Sequence, residues 1–138
     1  MTHSMWIFEQ DDLSISVQRS KDTAIVIWRG VSDARNPGIF LNQMAEDLLP
    51  KLKGTKVTVD FRLLEYMNSA TVAPLINFVK RLDAHGSPVT VVFSEIDWQR
   101  VHMNCMKSIA RTLKNVRVEG RPEPEIASAA TAAGAKNG

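Results

Sequence analysis

The sequence predicts an α/β domain with a mixed, mostly parallel sheet and crossover helices. β-branched and aromatic runs recur along the chain, segments with a three- to four-residue apolar period follow them, and turn residues separate the two. The predicted order is β-β-α-β-α-β-α-β. Strands that are joined by helices lie parallel with right-handed crossovers. The first strand is therefore expected to attach antiparallel at one edge.

The first half of the chain predicts two strands and a helix. Residues 13–19 alternate apolar and polar side chains, which is typical of a half-exposed edge strand. Residues 23–31 contain the continuous run AIVIW and predict a strand covered on both faces, with Trp28 in the core. Asn36 followed by Pro37 predicts a helix start, because proline loses no hydrogen bond at the first helical position.

The second half repeats strand and helix twice and ends in a strand. The predicted elements are a strand at 56–62, a helix at about 70–84, a strand at 89–93, a third helix capped by Asp97, and a short strand at 116–118. The third helix is expected to face inward with Trp98, Val101, Cys105, Ile109 and Leu113. Loops that follow the strands are expected at 30–35, 62–69 and 94–98.

Composition places these elements in one domain. The 138 residues are 44% hydrophobic and 23% charged, which fits a single domain over residues 1–120. The Pro- and Ala-rich tail at 121–138 is expected to be disordered.

Apolar runs are shorter than the roughly 20 residues that cross a bilayer, and no secretory signal is recognised. A single cysteine fits a cytoplasmic protein. A net charge of +2 does not favour nucleic acid as a partner.

The junction between the third strand and the second helix carries the candidate site, Asn68 and Ser69. A hydroxyl at a helix start can cap the free amides of the first turn, and those amides also favour a bound or covalently attached anion. Ser69 is therefore a cap, a phosphate carrier or both. Thr71 is the preferred cap, because Pro74 then falls at the third helical position and loses no hydrogen bond; a loosened first turn of the helix is the alternative.

The segment DFRLLEYMNSA and the order of elements over residues 13–119 resemble a STAS domain, the fold of bacterial anti-sigma-factor antagonists. The matching positions are Asp60 and Phe61 at the start of the motif and Met67, Asn68, Ser69 and Ala70 at its end. Asn68 stands where phosphorylated members of that family usually have aspartate, and Thr71 where glycine is usual.

The resemblance implies a switch at Ser69. In such antagonists the matching serine is phosphorylated by a partner that is both anti-sigma factor and serine kinase, of the histidine-kinase-like ATPase type. Thr71 is a second candidate phosphoacceptor. The implied partner surface consists of Ser32, Asp33, Tyr66, Met67, Asn68, Ser69, Ile96 and Trp98. No cofactor, metal or membrane insertion is expected.

Two other functions stay open. A constitutive STAS adaptor subunit of a lipid-transport ATPase fits the departures at Asn68 and Thr71, and a small-ligand or nucleotide-binding module would use the amides at the start of the second helix. An enzyme is not expected, since no nucleophile elbow, phosphate-binding glycine loop or carboxylate pair is present. Asp60 is expected to be structural and Arg62 to be solvated.

Overall fold

The computed structural model describes residues 3–122, which form a single six-stranded sheet with three α-helices. The elements are β1 (Ser4–Gln10), β2 (Leu13–Arg19), β3 (Thr23–Ser32), α1 (Pro37–Leu48), a 3-10 turn (Leu49–Leu52), β4 (Lys56–Met67), α2 (Ser69–Ala84), β5 (Val89–Ser94), α3 (Asp97–Ala110) and β6 (Val116–Arg121). The strands lie in chain order from β1 to β6. Strands β1 to β3 pair antiparallel, and β3 to β6 pair parallel.

The predicted fold class and the order of elements from residue 13 are confirmed, but one strand was missed. β1 pairs with β2 across the two-residue turn Asp11-Asp12, and Asp11 has a left-handed φ of 53°. The assignment of residues 13–19 to the sheet edge is therefore wrong, because β1 covers that edge. β1 was missed because the continuous run MWIF conceals its alternation of buried and exposed residues. The signal that identifies the strand is the pair of turn residues between two apolar runs, which predicts a hairpin.

The three helices cover one face of the sheet. Parallel strands that follow one another in order, with crossovers of one hand, place every helix on the same side. Alternate strand residues on that side form the core with the helices, among them Trp28, Phe61 and Phe93. The Trp28 and Phe61 ring centroids lie 5.1 Å apart and those of Phe61 and Phe93 5.0 Å apart, which confirms the predicted core role of Trp28. The opposite face is open.

Strand β4 is longer than predicted, and the expected loop at 62–69 is wrong. β4 pairs with β5 only as far as Asp60, opposite Val92. Its pairing with β3 continues through two register shifts to Met67, opposite Ser32. β4 thus extends beyond its pairing with β5 and runs directly into α2.

The buried side chain of Gln99 supports this extension of β4. Its amide nitrogen donates to the Phe61 and Leu64 carbonyl oxygens at 2.8 and 3.0 Å, and its amide oxygen accepts from the Ser94 N–H at 2.7 Å. Buried backbone groups need partners. Gln99 thus replaces the hydrogen bonds that β5 no longer provides to β4.

Helix α3 faces the core with part of the predicted stripe, since Trp98, Ile109 and Leu113 pack against the core as predicted. Its buried residues are Gln99, Met103 and Met106. Val101 is 67% exposed and Cys105 is exposed, so their predicted inward positions are wrong. Asp97 is the first helical residue and not the cap, which is Ile96. The buried Gln99, Met103 and Met106 take the inward positions that had been predicted for Val101 and Cys105.

The ends of the domain agree only in part with the predicted boundary. β6 continues to Arg121, one residue beyond the predicted limit, and the predicted disordered tail lies outside the described residues from position 123 onward. Within residues 3–122, no helix combines the length and the apolar character needed to cross a membrane.

We expect Gln99→Leu to lower the free energy of unfolding by about 3 kcal/mol, because two buried carbonyl groups and one N–H lose their partner. Asn104→Leu is the matched control: it removes the same kind of amide from the exposed side of α3, and we expect a change below about 0.5 kcal/mol. Urea unfolding measures both. Equal losses in the two variants would refute the supporting role of Gln99.

Candidate docking surface at the start of helix α2

Asn68 is the N-cap of α2. Its backbone is extended, with φ −79° and ψ 169°, and its side-chain oxygen accepts from the Thr71 N–H at 3.1 Å and from the Thr71 hydroxyl at 2.7 Å. Its side-chain nitrogen donates to the Ala34 carbonyl oxygen at 2.9 Å. Asn68 therefore begins the helix and also holds the loop that follows β3. The prediction that Thr71 is the cap is wrong.

Thr71 and Ser32 form a buried hydroxyl pair beneath this cap. Their Oγ atoms lie 2.8 Å apart, and Thr71 has no exposed surface while Ser32 is 2% exposed. The Asn68 N–H also donates to the Ser32 carbonyl oxygen at 2.9 Å. Burial removes Thr71 from consideration as a phosphoacceptor and Ser32 as a partner contact, since neither side chain reaches the surface.

Ser69, the first residue of α2, is exposed. Its hydroxyl makes no hydrogen bond with any group of residues 3–122, because the cap is supplied by Asn68. Pro74 lies inside α2, so it cannot donate to the carbonyl group one turn earlier, that of Ala70. The first turn of α2 thus has one hydrogen bond fewer than a regular turn.

The other residues predicted for the partner surface differ in their burial: some are exposed, some are half-buried, and one is buried. Tyr66 is 50% exposed, Ile96 is 43% exposed, and Asp33 is also exposed. Asn68 and Trp98 are half-buried. Met67 is only 5% exposed and packs in the core, so it does not form a contact surface. The exposed residues follow the carboxyl ends of β3, β4 and β5, which meet at one edge of the sheet.

Arg62 and Asp60 form an ion pair beside this edge. The Arg62 guanidinium binds the Asp60 carboxylate, with a closest distance of 2.9 Å, and also donates to the Pro122 carbonyl oxygen at 2.9 Å. Their side chains are 16% and 13% exposed. Asp60 has the structural role that was expected. The prediction that Arg62 is solvated is wrong.

A small apolar groove between α2 and α3 was not predicted. Val72 and Ile76 of α2 and His102 and Cys105 of α3 line it. Ser69, Val72 and Ile76 are spaced by three and four residues, so they share one stripe of α2 and the groove lies along the helix from Ser69. Burial lowers the pKa of His102. Cys105, whose side chain was predicted in the core, is exposed and lines this groove.

Metal ligands are not gathered at this edge. The described part of the chain contains no group of three or more His, Cys, Asp or Glu side chains placed to hold a metal ion. The first turn of α2 likewise contains no acidic residue.

We expect Asn68→Ala to lower the free energy of unfolding by about 1–2 kcal/mol, since it removes the cap of α2 and the bond to Ala34. Ser69→Ala removes an exposed hydroxyl at the adjacent position, and we expect a change within about 0.5 kcal/mol. Thermal and urea unfolding of both variants test the assignment. A larger loss for Ser69→Ala than for Asn68→Ala would show that the hydroxyl of Ser69 is the cap.

Comparison with known proteins shows the fold. No family model matches the sequence, and no curated protein matches it. A chain in the crystal structure of the diguanylate cyclase SiaD in complex with its activator SiaC from Pseudomonas aeruginosa superposes with a TM-score of 0.59 and 12% identity, covering 84% of this chain and 99% of that chain.

Two structures of SiaC from Pseudomonas aeruginosa give similar values. One has a TM-score of 0.58 and 12% identity, over 86% of this chain and 99% of that chain. The apo-SiaC structure has a TM-score of 0.55 and 14% identity, over 84% and 98%. At this identity the likeness shows the fold alone, and it confirms the predicted STAS-type fold at that level.

Proposed function

We propose that this chain is a non-enzymatic regulatory domain that binds a protein partner through the sheet edge around Ser69, and that phosphorylation of Ser69 switches this binding. The observation that carries the proposal is an exposed hydroxyl on the first residue of α2, free of internal hydrogen bonds within residues 3–122. Tyr66 and Ile96 are half-exposed at the same edge of the sheet.

The fold tolerates a phosphate at Ser69. A phosphoserine adds about −1.5 to −2 charges at neutral pH. The amides and the dipole at the start of α2 favour a negative charge there, and the absence of acidic residues from its first turn removes the nearest source of repulsion. Modification breaks no internal bond, so its effect falls on the surface and not on the stability of the domain.

The surface around Ser69 suits a protein partner more than a polar substrate. Tyr66, Ile96 and Trp98 bring aromatic and aliphatic area to this edge, and such residues are enriched at the centres of protein interfaces. Val101, at 67% exposure, extends the apolar area along α3. Placing about two negative charges within this area opposes docking of an apolar or acidic partner surface.

The partner class follows from two likenesses. The fold neighbour SiaC is named as the activator of a diguanylate cyclase, which supports a regulatory role through protein binding. The resemblance to anti-sigma-factor antagonists supports a partner that is an anti-sigma factor and serine kinase of the histidine-kinase-like ATPase type. In both cases the chain acts by binding a signalling protein in the cytoplasm.

A constitutive adaptor of a lipid-transport ATPase is the second candidate. It is favoured by Asn68, whose side chain is wholly used in holding the helix start and the loop after β3 and has no carboxylate with which to orient Ser69. The third candidate, a nucleotide bound at the start of α2, is less favoured, because Asn68 already occupies the Thr71 amide.

We expect Ser69→Asp to abolish capture of the partner from a lysate while the thermal midpoint stays within a few degrees, since the residue is exposed. Ser108→Asp adds the same charge on the exposed side of α3, and it should leave capture unchanged. Mass spectrometry of the captured proteins identifies the partner, and incubation with that kinase and ATP should add one phosphate at Ser69.

Two outcomes would replace the proposal. Capture of an ATPase subunit with equal yield by wild type, Ser69→Ala and Ser69→Asp would establish the adaptor function. Loss of capture in Ser69→Asp and Ser108→Asp alike would show a non-specific response to charge.

A further inference from the structure

The open face of the sheet carries one row of side chains without an acidic residue. Ile25 pairs with Thr58, Thr58 with Thr90, and Thr90 with Arg117, so these four side chains lie side by side across β3 to β6. Lys56 lies two residues before Thr58, on the same face of β4. The row therefore combines two hydroxyls and an aliphatic side chain with flanking cations.

This row forms the floor of a concavity of about 700 Å³ at the amino ends of β3 to β6. That volume lies within the range of small-molecule sites, roughly 300–1,000 Å³. Its cations are Lys56, Lys114 and Arg117, and none of its 13 lining residues is acidic. The concavity lies at the opposite end of the parallel strands from Ser69.

The rim of the concavity is held in place by backbone bonds. The Asp83 carboxylate, which is 8% exposed, accepts from the N–H groups of Lys114 and Asn115 at 3.1 and 2.8 Å. The Lys56 N–H donates to the Asp22 carbonyl oxygen at 2.9 Å. Both lysines therefore project from fixed backbone positions, which lowers the entropic cost of binding a ligand.

Lys56 and Lys114 form no ion pair with any carboxylate of residues 3–122. Glu119 accepts from Arg121 at 2.7 Å and from Arg117 at 3.2 Å, and the hydrogen bond from Arg121 lowers its pKa. Glu119 thus compensates Arg117 but forms no ion pair with Lys56 or Lys114. Lys56 is the first residue of β4, and Lys114 lies in the turn between α3 and β6, two residues before Val116.

We propose that this concavity binds a phosphate-bearing small molecule with a flat apolar body. Lys56 and Lys114 contact the phosphates, the Thr58 and Thr90 hydroxyls offer further donors, and the Ile25 side chain packs against the body. Three cationic side chains and hydroxyl donors, with no carboxylate among the lining residues, match a polyanion in charge.

Calorimetric titration with ATP as the probe tests the site. Parallel titrations with inorganic pyrophosphate and with adenosine separate the contribution of the phosphates from that of the apolar body. We expect saturable binding of ATP, weaker binding of pyrophosphate and the weakest binding of adenosine. Lys56→Gln/Lys114→Gln should weaken ATP binding at least tenfold, because two charge-assisted hydrogen bonds are lost.

Lys80→Gln/Lys107→Gln is the matched control. It removes the same charge from exposed positions on α2 and α3, and we expect less than a twofold change in ATP affinity. Amide chemical-shift changes on adding ATP should cluster at Thr58, Thr90 and Lys114. Flat titrations, equal weakening in both double variants, or shift changes centred on Ser69 would each overturn the proposal. Pyrophosphate that binds as tightly as ATP would overturn the role of Ile25.

Discussion

The candidate docking surface lies at the carboxyl ends of β3, β4 and β5. Its position depends on the hydrogen bonds that Gln99 forms with β4. β4 leaves its pairing with β5 after Asp60, and the carbonyl groups of Phe61 and Leu64 would then be buried without a partner. An unpaired buried carbonyl costs about 1–3 kcal/mol. The amide of Gln99 removes that cost and also binds the end of β5 at Ser94. One side chain therefore fixes β4, β5 and α3 relative to one another.

A second set of polar residues fixes the position of the same surface. Asn68, Thr71 and Ser32 connect the start of α2 to the loop after β3 through side-chain and backbone hydrogen bonds. Thr71 and Ser32 are buried and Asn68 is half-buried, so the network chiefly sets the geometry of this surface. Its effect is to leave Ser69 at the surface, with a hydroxyl that makes no hydrogen bond to any group of residues 3–122, on a helix start whose position is fixed on both sides.

Much of the fold was predictable from the sequence, because strand and helix periods are local properties. The strand at residues 23–31 and the Pro37 helix start are examples, although the prediction that this strand is covered on both faces is wrong, because Ile25 is 41% exposed. The errors arose where a distant group decides the outcome. From its local sequence, Gln99 is expected at the surface, because only the folded structure shows that carbonyl groups of β4 need its amide. Cys105 is expected in the core for the same reason, since the burial of Gln99 decides which side of α3 faces inward. The cap at Asn68 was missed for a similar reason, since its second bond is to Ala34, which lies in another loop.

The bond from Arg62 to the Pro122 carbonyl oxygen has a consequence for fusion proteins. It holds the last described residue beside Arg62 of β4, just after the carboxyl end of β6, whereas Ser4 pairs with Arg19, which pairs with Ala24 near the amino end of β3. A binding module tethered after Pro122 starts beside the docking edge and gains effective concentration there. The same module tethered before Ser4 starts about 26 Å away along the strands, a distance set by the eight residue steps from Ala24 to Ser32 of β3.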